Sequence, residues 1–284
     1  MNAIAEINTA NAADTPPNFE AIKVKQQAAW GSGDYAVVGS TLNIVGEMLA
    51  EAADINPDET VLDVAAGNGN ATLAAARRSA CVTSTDYVES LLEKARARTQ
   101  AEQMDVNFQQ ADVERLPFAD NSFDAVISTF GCMFAPDQHR TAQEMIRVVK
   151  SGGRVAMANW TPDSFIGELF KVIGRHVPPP KGVQSPGLWG DRAHLEHLFG
   201  AEASRVSITR RVYNFRYRSV AEWLEVFRTF YGPTHKAFLA LDSDGQHAMA
   251  QDMSNLAERF NVRTDGRMVV PGDYAEVVIT KRLG

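Results

Sequence analysis

The chain has 284 residues, 45% of them hydrophobic, and 28 lysines and arginines against 35 aspartates and glutamates give a formal charge of -7. That length admits one α/β unit with an insertion, and the acidic balance excludes nucleic acid as the main partner, because phosphate binding needs a basic surface. Two cysteines, Cys81 and Cys132, are too few for a disulfide framework or a cysteine-rich metal site and are expected as buried thiols. No leader-like segment or apolar run of membrane-spanning length is visible, so a cytoplasmic protein without integral membrane association is expected.

Residues 1 to 18 are small and polar and read as a flexible tail. Phe19 to Trp30 and Val38 to Ala52 are helix-like, and Trp30 and Tyr35 flank the Gly31-Ser32-Gly33 hinge between them. Val61 to Asn70 reads as a short buried strand that ends in an acid, Asp63, and runs into a glycine turn. Gly67 and Gly69 let the backbone take unusual torsions close to a ligand, and the carboxyl end of such a strand is where open α/β sheets bind ligands. Two cofactor classes use a loop of this kind. A dinucleotide site is written G-x-G-x-x-G; here Thr72 stands at the third glycine and Asp63 is no part of the fingerprint. An NAD-dependent oxidoreductase stays open as the alternative.

Strand and helix patterns alternate from Glu59 to Arg154, which predicts βαβ units and a parallel sheet. Cys81 to Asp86 is the second strand. Asp86 lies 17 residues past Gly69 (86 minus 69), near the distance at which a strand-2 carboxylate meets a ribose, whose two hydroxyls its oxygens can accept. A short third strand, Val106 to Gln109, leads to Asp112 and Val113, and Ala125 to Thr129 is the fourth. Gln138 to Lys150 carries a helical stripe of Ala142, Met145, Ile146 and Val149; Gly152-Gly153 is expected as its C-cap, before a fifth strand from Arg154 to Asn159.

Asp63, Gly67 and Gly69 match motif I of the class I S-adenosylmethionine-dependent methyltransferases, D-x-G-x-G-x-G, with Ala65 at the first glycine. Leu116-Pro117-Phe118, Asp120 and Ser122-Phe123-Asp124 resemble more specifically the ubiquinone- and menaquinone-biosynthesis type. The resemblance covers about residues 28 to 160. It implies an α/β, Rossmann-like class I methyltransferase fold: a mostly parallel central sheet, helices on both faces and an inserted α-rich cap. It also implies S-adenosylmethionine as cofactor, with no metal. By resemblance, Trp30 and Tyr35 are lid contacts, and Asp63, Ala65, Gly67, Asn68 and Gly69 form the cofactor loop. Asp86 and Tyr87 take the ribose side, Asp112 and Val113 the adenine, and Thr129 the methionine amino group. Met133, Phe134 and Trp189 are candidates for the acceptor, although ordinary core residues would look the same.

Residues 160 to 231 hold 12 of the 24 aromatics, broken by Pro178-Pro179-Pro180. Helix-like pieces at Ser164 to Arg175, Ala193 to Phe199 and Val220 to Tyr231 suit a cap with an apolar pocket, with strands at Val206 to Tyr217 and Ala275 to Lys281. The expected division is tail 1–18, cofactor core with lid helices 19–160, cap insertion 161–265 and final strand 266–284. His139 and Tyr231 are the general-base candidates, while His194 and His197 read as a solvated pair rather than metal ligands. The expectation is methyl transfer to a small aromatic or apolar acceptor, on O, N or C. A catalytically silent cofactor-binding regulator is the second alternative, and a homodimer is compatible with the sequence.

Overall fold

Strand β1 (Thr60–Val64) buries Val61, Leu62 and Val64 together with the acid Asp63, as a strand covered on both faces does. In the computed structural model, which describes residues 17–284, it lies inside a seven-stranded sheet. The other strands are β2 (Cys81–Asp86), β3 (Val106–Gln110), β4 (Phe123–Thr129), β5 (Val149–Trp160), β6 (Ala203–Tyr217) and β7 (Met268–Lys281). Their order is β3-β2-β1-β4-β5-β7-β6. The first five are mutually parallel, and β7 is antiparallel to both neighbours. The chain leaves β1 toward β2 and β3 on one side and returns through β4 on the other. That reversal opens a crevice at the carboxyl ends of β1 and β4.

Helices α3 (Asn43–Ala52), α4 (Asn70–Ala76), α5 (Glu89–Ala101) and α6 (Gln138–Val148) pack on the sheet. The expected α6 stripe, Ala142, Met145 and Ile146, is buried. Upstream lie α1 (Phe19–Trp30), which has no fully buried residue, and the single turn α2 (Tyr35–Gly39). Downstream come α7 (Phe165–His176), α8 (Arg192–Phe199), α9 (Val220–Phe230), α10 (Gly232–Leu239) and α11 (Ser243–Phe260). These reach back to the start of the chain, with α10 against α1 and α9 against α2. A Cβ on Gly232 would stand 2.1 Å from the Ala29 carbonyl oxygen, so the contact requires glycine.

Several expectations change. The tail falls on residues 1–16, outside the described residues, except for Pro17 and Asn18; the Asn18 side chain caps α1. Gly152-Gly153 does not cap α6, which ends at Val148; Gly152 takes φ +76° within β5, where the pairing with β4 shifts register between Phe123↔Val149 and Ala125↔Arg154. Cys81 is exposed, because it opens β2 before the strand enters the core, while Cys132 is buried. The segment from Ala203 to Tyr217 does not sit over the sheet but extends it, paired along β7 from Ala203↔Lys281 to Tyr217↔Met268. His194 is half-buried, and its Nε2 lies 2.7 Å from Gln138 Oε1, joining α8 to α6.

Candidate active site

The turn after β1 makes the site. Ala65 takes φ +49°, Gly67 φ +56° and Gly69 φ +83°, so three near-consecutive residues occupy the left-handed region. The Gly67 N–H donates to Asp86 Oδ2 at 2.9 Å, and the Val88 N–H donates to Oδ1 at 2.8 Å. Asp86, at the end of β2, thereby holds the turn in place. Below it, Asp63 Oδ2 accepts from the Thr72 hydroxyl at 2.6 Å.

A cleft opens above the turn, at the carboxyl ends of the strands where open α/β sheets bind ligands. It brings together Trp30, Tyr35, Asp63, Ala65, Gly67, Asn68, Asp86, Tyr87, Asp112, Val113 and Thr129, along with Phe134. Gly69 is not in its lining; its Cβ position faces Ala95 of α5 at 2.8 Å, so this glycine serves helix packing. Burial pushes the Asp63 carboxyl up to about 7, against the pull of Thr72. Burial also pushes Asp86 up to about 6, against the N–H groups of Val88, Gly67 and Tyr87. Gln26 Oε1, Asp63 Oδ1, Asn68 Nδ2 and Thr129 Oγ1 are buried without a hydrogen-bond partner, and all four residues line this cleft. Buried polar atoms are nearly always paired. Four of the ten unpartnered buried atoms among the described residues thus surround one cleft, an arrangement that fits a polar ligand.

Helix α1 crosses the opening. Lys23 Nζ pairs with Asp112 Oδ2 at 2.8 Å, Glu114 Oε2 at 3.0 Å and Glu20 Oε1 at 2.8 Å. Burial alone would lower the Lys23 pKa, but these acids raise it above its ordinary value. Gln26 Nε2 donates to the Phe134 carbonyl at 3.1 Å, and Gln27 Nε2 to the Tyr87 carbonyl at 2.5 Å. Lys23, Gln26, Gln27 and Trp30 share one helix face at spacings of three, four and seven; that spacing was the signal by which sequence reasoning could have found Lys23 and Gln26. It also passed over Asn70, Phe130 and Gly131, which line the cleft too. The Trp30 ring meets Tyr35, Phe134 and Tyr231 at centroid distances of 5.6, 5.0 and 5.4 Å.

Other expected site residues lie elsewhere. Tyr231 forms a second layer behind Trp30 and Tyr35 and is absent from the lining. Met133 is buried in the core, and Trp189 is fully buried with its ring against Phe199 at 6.1 Å. Met133 is a candidate through its place after the fourth strand in the family resemblance and Trp189 through the aromatic-rich segment, and core packing suits both side chains equally well. His139 is exposed on α6, outside the cleft, because the first turn of that helix points it to solvent.

A family described as "Methyltransferase domain" matches residues 62–157, from β1 into β5. An uncharacterized protein of Mycobacterium tuberculosis is 33% identical over 273 residues, covering 95% of this chain and 99% of that one. The demethylmenaquinone methyltransferase of Deinococcus radiodurans is 33% identical over 175 residues, 60% of this chain and 72% of its own. The chain belongs to the class I S-adenosylmethionine-dependent methyltransferases. The same fold is seen in the YcgJ protein of Bacillus subtilis, with a TM-score of 0.60, 19% identity, and coverage of 87% of this chain and 100% of that one. Membership in this family leaves the NAD-dependent reading without support. Among the described residues of this methyltransferase, no helix is long and apolar enough to cross a membrane, and no group of three or more His, Cys, Asp or Glu is placed to hold a metal.

Proposed function

We propose that the cleft binds S-adenosylmethionine and that the protein transfers its methyl group to a small aromatic or apolar acceptor. The observation that carries this reading is the set of four unpartnered polar atoms, on Gln26, Asp63, Asn68 and Thr129, beside the aromatic wall of Trp30, Tyr35 and Phe134. Asp86 faces the ribose, the turn at Gly67 lets the backbone approach the ligand, and Asp63 with Thr129 takes the amino-acid end. Asp112 meets the adenine while sharing its carboxylate with Lys23. When bound, the cofactor supplies a methyl group already activated on its sulfonium. The chain then has to align the acceptor and exclude water, which is catalysis by positioning.

The titratable side chains of the lining are Lys23, Tyr35, Asp63, Asp86, Tyr87 and Asp112. Burial pushes both tyrosine hydroxyls upward, so neither is a ready base, and Lys23 is held by three acids. An acceptor that loses its proton with little help, such as a phenol with a pKa near 10, suits this lining. The likeness to demethylmenaquinone methyltransferase supports the same ring-bearing class.

Native mass spectrometry and calorimetry with S-adenosylmethionine and NAD test the cofactor, and a labelled-methyl assay over phenols and quinols tests the acceptor. Binding of S-adenosylmethionine with transfer to a phenol or quinol is expected. Binding without transfer to any acceptor would favour a silent regulator, and binding of NAD alone would overturn the reading.

A further inference from the structure

Thr72 stands where a dinucleotide fingerprint has its third glycine. In the structure its hydroxyl donates to Asp63 Oδ2 at 2.6 Å and lies 2.8 Å from Ser84 Oγ. Since the one Thr72 hydroxyl hydrogen goes to Asp63, Ser84 donates to Thr72. Ser84 sits on β2 directly across from Asp63, its register partner in β1. All three side chains are buried, and Asp63 Oδ1 has no partner.

We propose that Thr72 and Ser84 are positioning residues: they clamp one oxygen of Asp63 so that the other is presented to the cleft as acceptor for the cofactor's cationic amino group. The inference rests on the S-adenosylmethionine reading above. A buried carboxyl favours its neutral form, and a donated hydrogen bond favours the charged one and fixes the rotamer. The other ionisable group that acts on Asp63 is the Asp86 carboxylate at the end of β2, which opposes its ionisation; the Cys132 thiol after β4, on which Asp63 in turn acts, is pushed up to about 12 by burial and so neutral. No lysine or arginine of the described residues stands among the groups that act on Asp63. The cation that completes this carboxylate is therefore brought by the ligand, and binding it near neutral pH releases a proton from the site.

The experiment is calorimetry with S-adenosylmethionine from pH 6 to 8, in two buffers of different ionisation enthalpy, on wild type, Thr72→Val, Thr72→Ser and Ser84→Ala. Circular dichroism and melting check folding. In wild type, binding is expected to release a proton around pH 7. Thr72→Val is expected to bind on the order of ten-fold more weakly, the loss expected for one hydrogen bond to a charged group, with proton release persisting to higher pH. Thr72→Ser keeps the hydroxyl and is expected to match wild type, while Ser84→Ala shows the same changes as Thr72→Val at smaller size.

Affinity for 5′-methylthioadenosine, which lacks the amino acid, should be the same in all four proteins; a merely structural defect would lower it too and would overturn the inference. Unchanged affinity and proton count in folded Thr72→Val would also overturn it, leaving the cofactor reading intact. If Thr72→Val does not fold, Ser84→Ala decides in the same way. A wild type that binds no S-adenosylmethionine overturns both.

Discussion

The backbone N–H of Gly67 points at Asp86 Oδ2 from 2.9 Å, tying the turn after β1 to the end of β2. One carboxylate thus shapes the loop and faces the cleft. Asp86→Ala would leave the N–H groups of Gly67 and Val88 without their acceptor, at about 1–3 kcal/mol for each buried group. Calorimetry should show a loss of S-adenosylmethionine affinity of more than ten-fold on that account. Gly67→Val should do the same by a different route: φ is +56°, and a Cβ would meet the Tyr35 ring at 3.3 Å. Unchanged affinity in both variants would refute the placement of the cofactor in this cleft.

Ala65 occupies a left-handed conformation that costs a non-glycine residue roughly 1 kcal/mol or more. Ala65→Gly should therefore raise stability in chemical denaturation, by about 1 kcal/mol or less once the added freedom of the unfolded chain is counted. Cofactor affinity should stay unchanged. Gly131→Ala should be severely destabilising, because its Cβ would lie 2.1 Å from the Ala65 carbonyl oxygen.

Asp63 titrates near 7 in the folded protein against an ordinary 3.8, and Asp86 near 6. Between about pH 4 and 7 the folded state keeps protons that the unfolded chain has lost, so these two groups make stability fall as pH rises through that window and level off above it. Asp63→Asn should accordingly melt a few degrees higher than wild type at pH 8 and nearly level with it at pH 4, while losing cofactor affinity. Asp124 acts in the opposite sense: burial opposes its charge, but Thr60 and Lys150 hold it down at about 2, so its contribution is lost only in strong acid. An Asp63→Asn melting temperature that tracks wild type at every pH would refute the burial argument.

Lys23→Met should leave Glu114, which is buried, without its cation. Burial already raises the Glu114 pKa, with Lys23 opposing it, so the variant should bind a further proton at Glu114 and lose hydrogen-exchange protection along α1. Gly232→Ala should loosen the same helix from the other side by pressing on Ala29. Both variants should speed cofactor dissociation in stopped flow. High salt should do so less than Lys23→Met, because the ion pair is largely shielded from solvent.

His139→Ala should bind cofactor as wild type does, and turnover should not change once an acceptor is known. The side chain is exposed on α6 and contributes nothing to the cleft lining. A large loss of activity would place the acceptor outside the cleft described.

What the sequence determined by itself was whatever depends on neighbours along the chain. The apolar run of β1, the glycine turn and the acid ending β2 are local patterns, and together they located the cleft and most of its lining. Tertiary structure alone decided which distant residues meet. Lys23 reaches Asp112 across 89 positions, and Thr72 reaches Asp63 and Ser84 only because α4 folds back beside β1 and β2. The same holds for the candidates that lie outside the cleft lining. Trp189 and Met133 pack in the core and His139 projects to solvent, while the expected strand at Val206 to Tyr217 forms and, by pairing with β7, extends the sheet. Local periodicity says which face of an element is buried; it is docking that decides what that face is buried against.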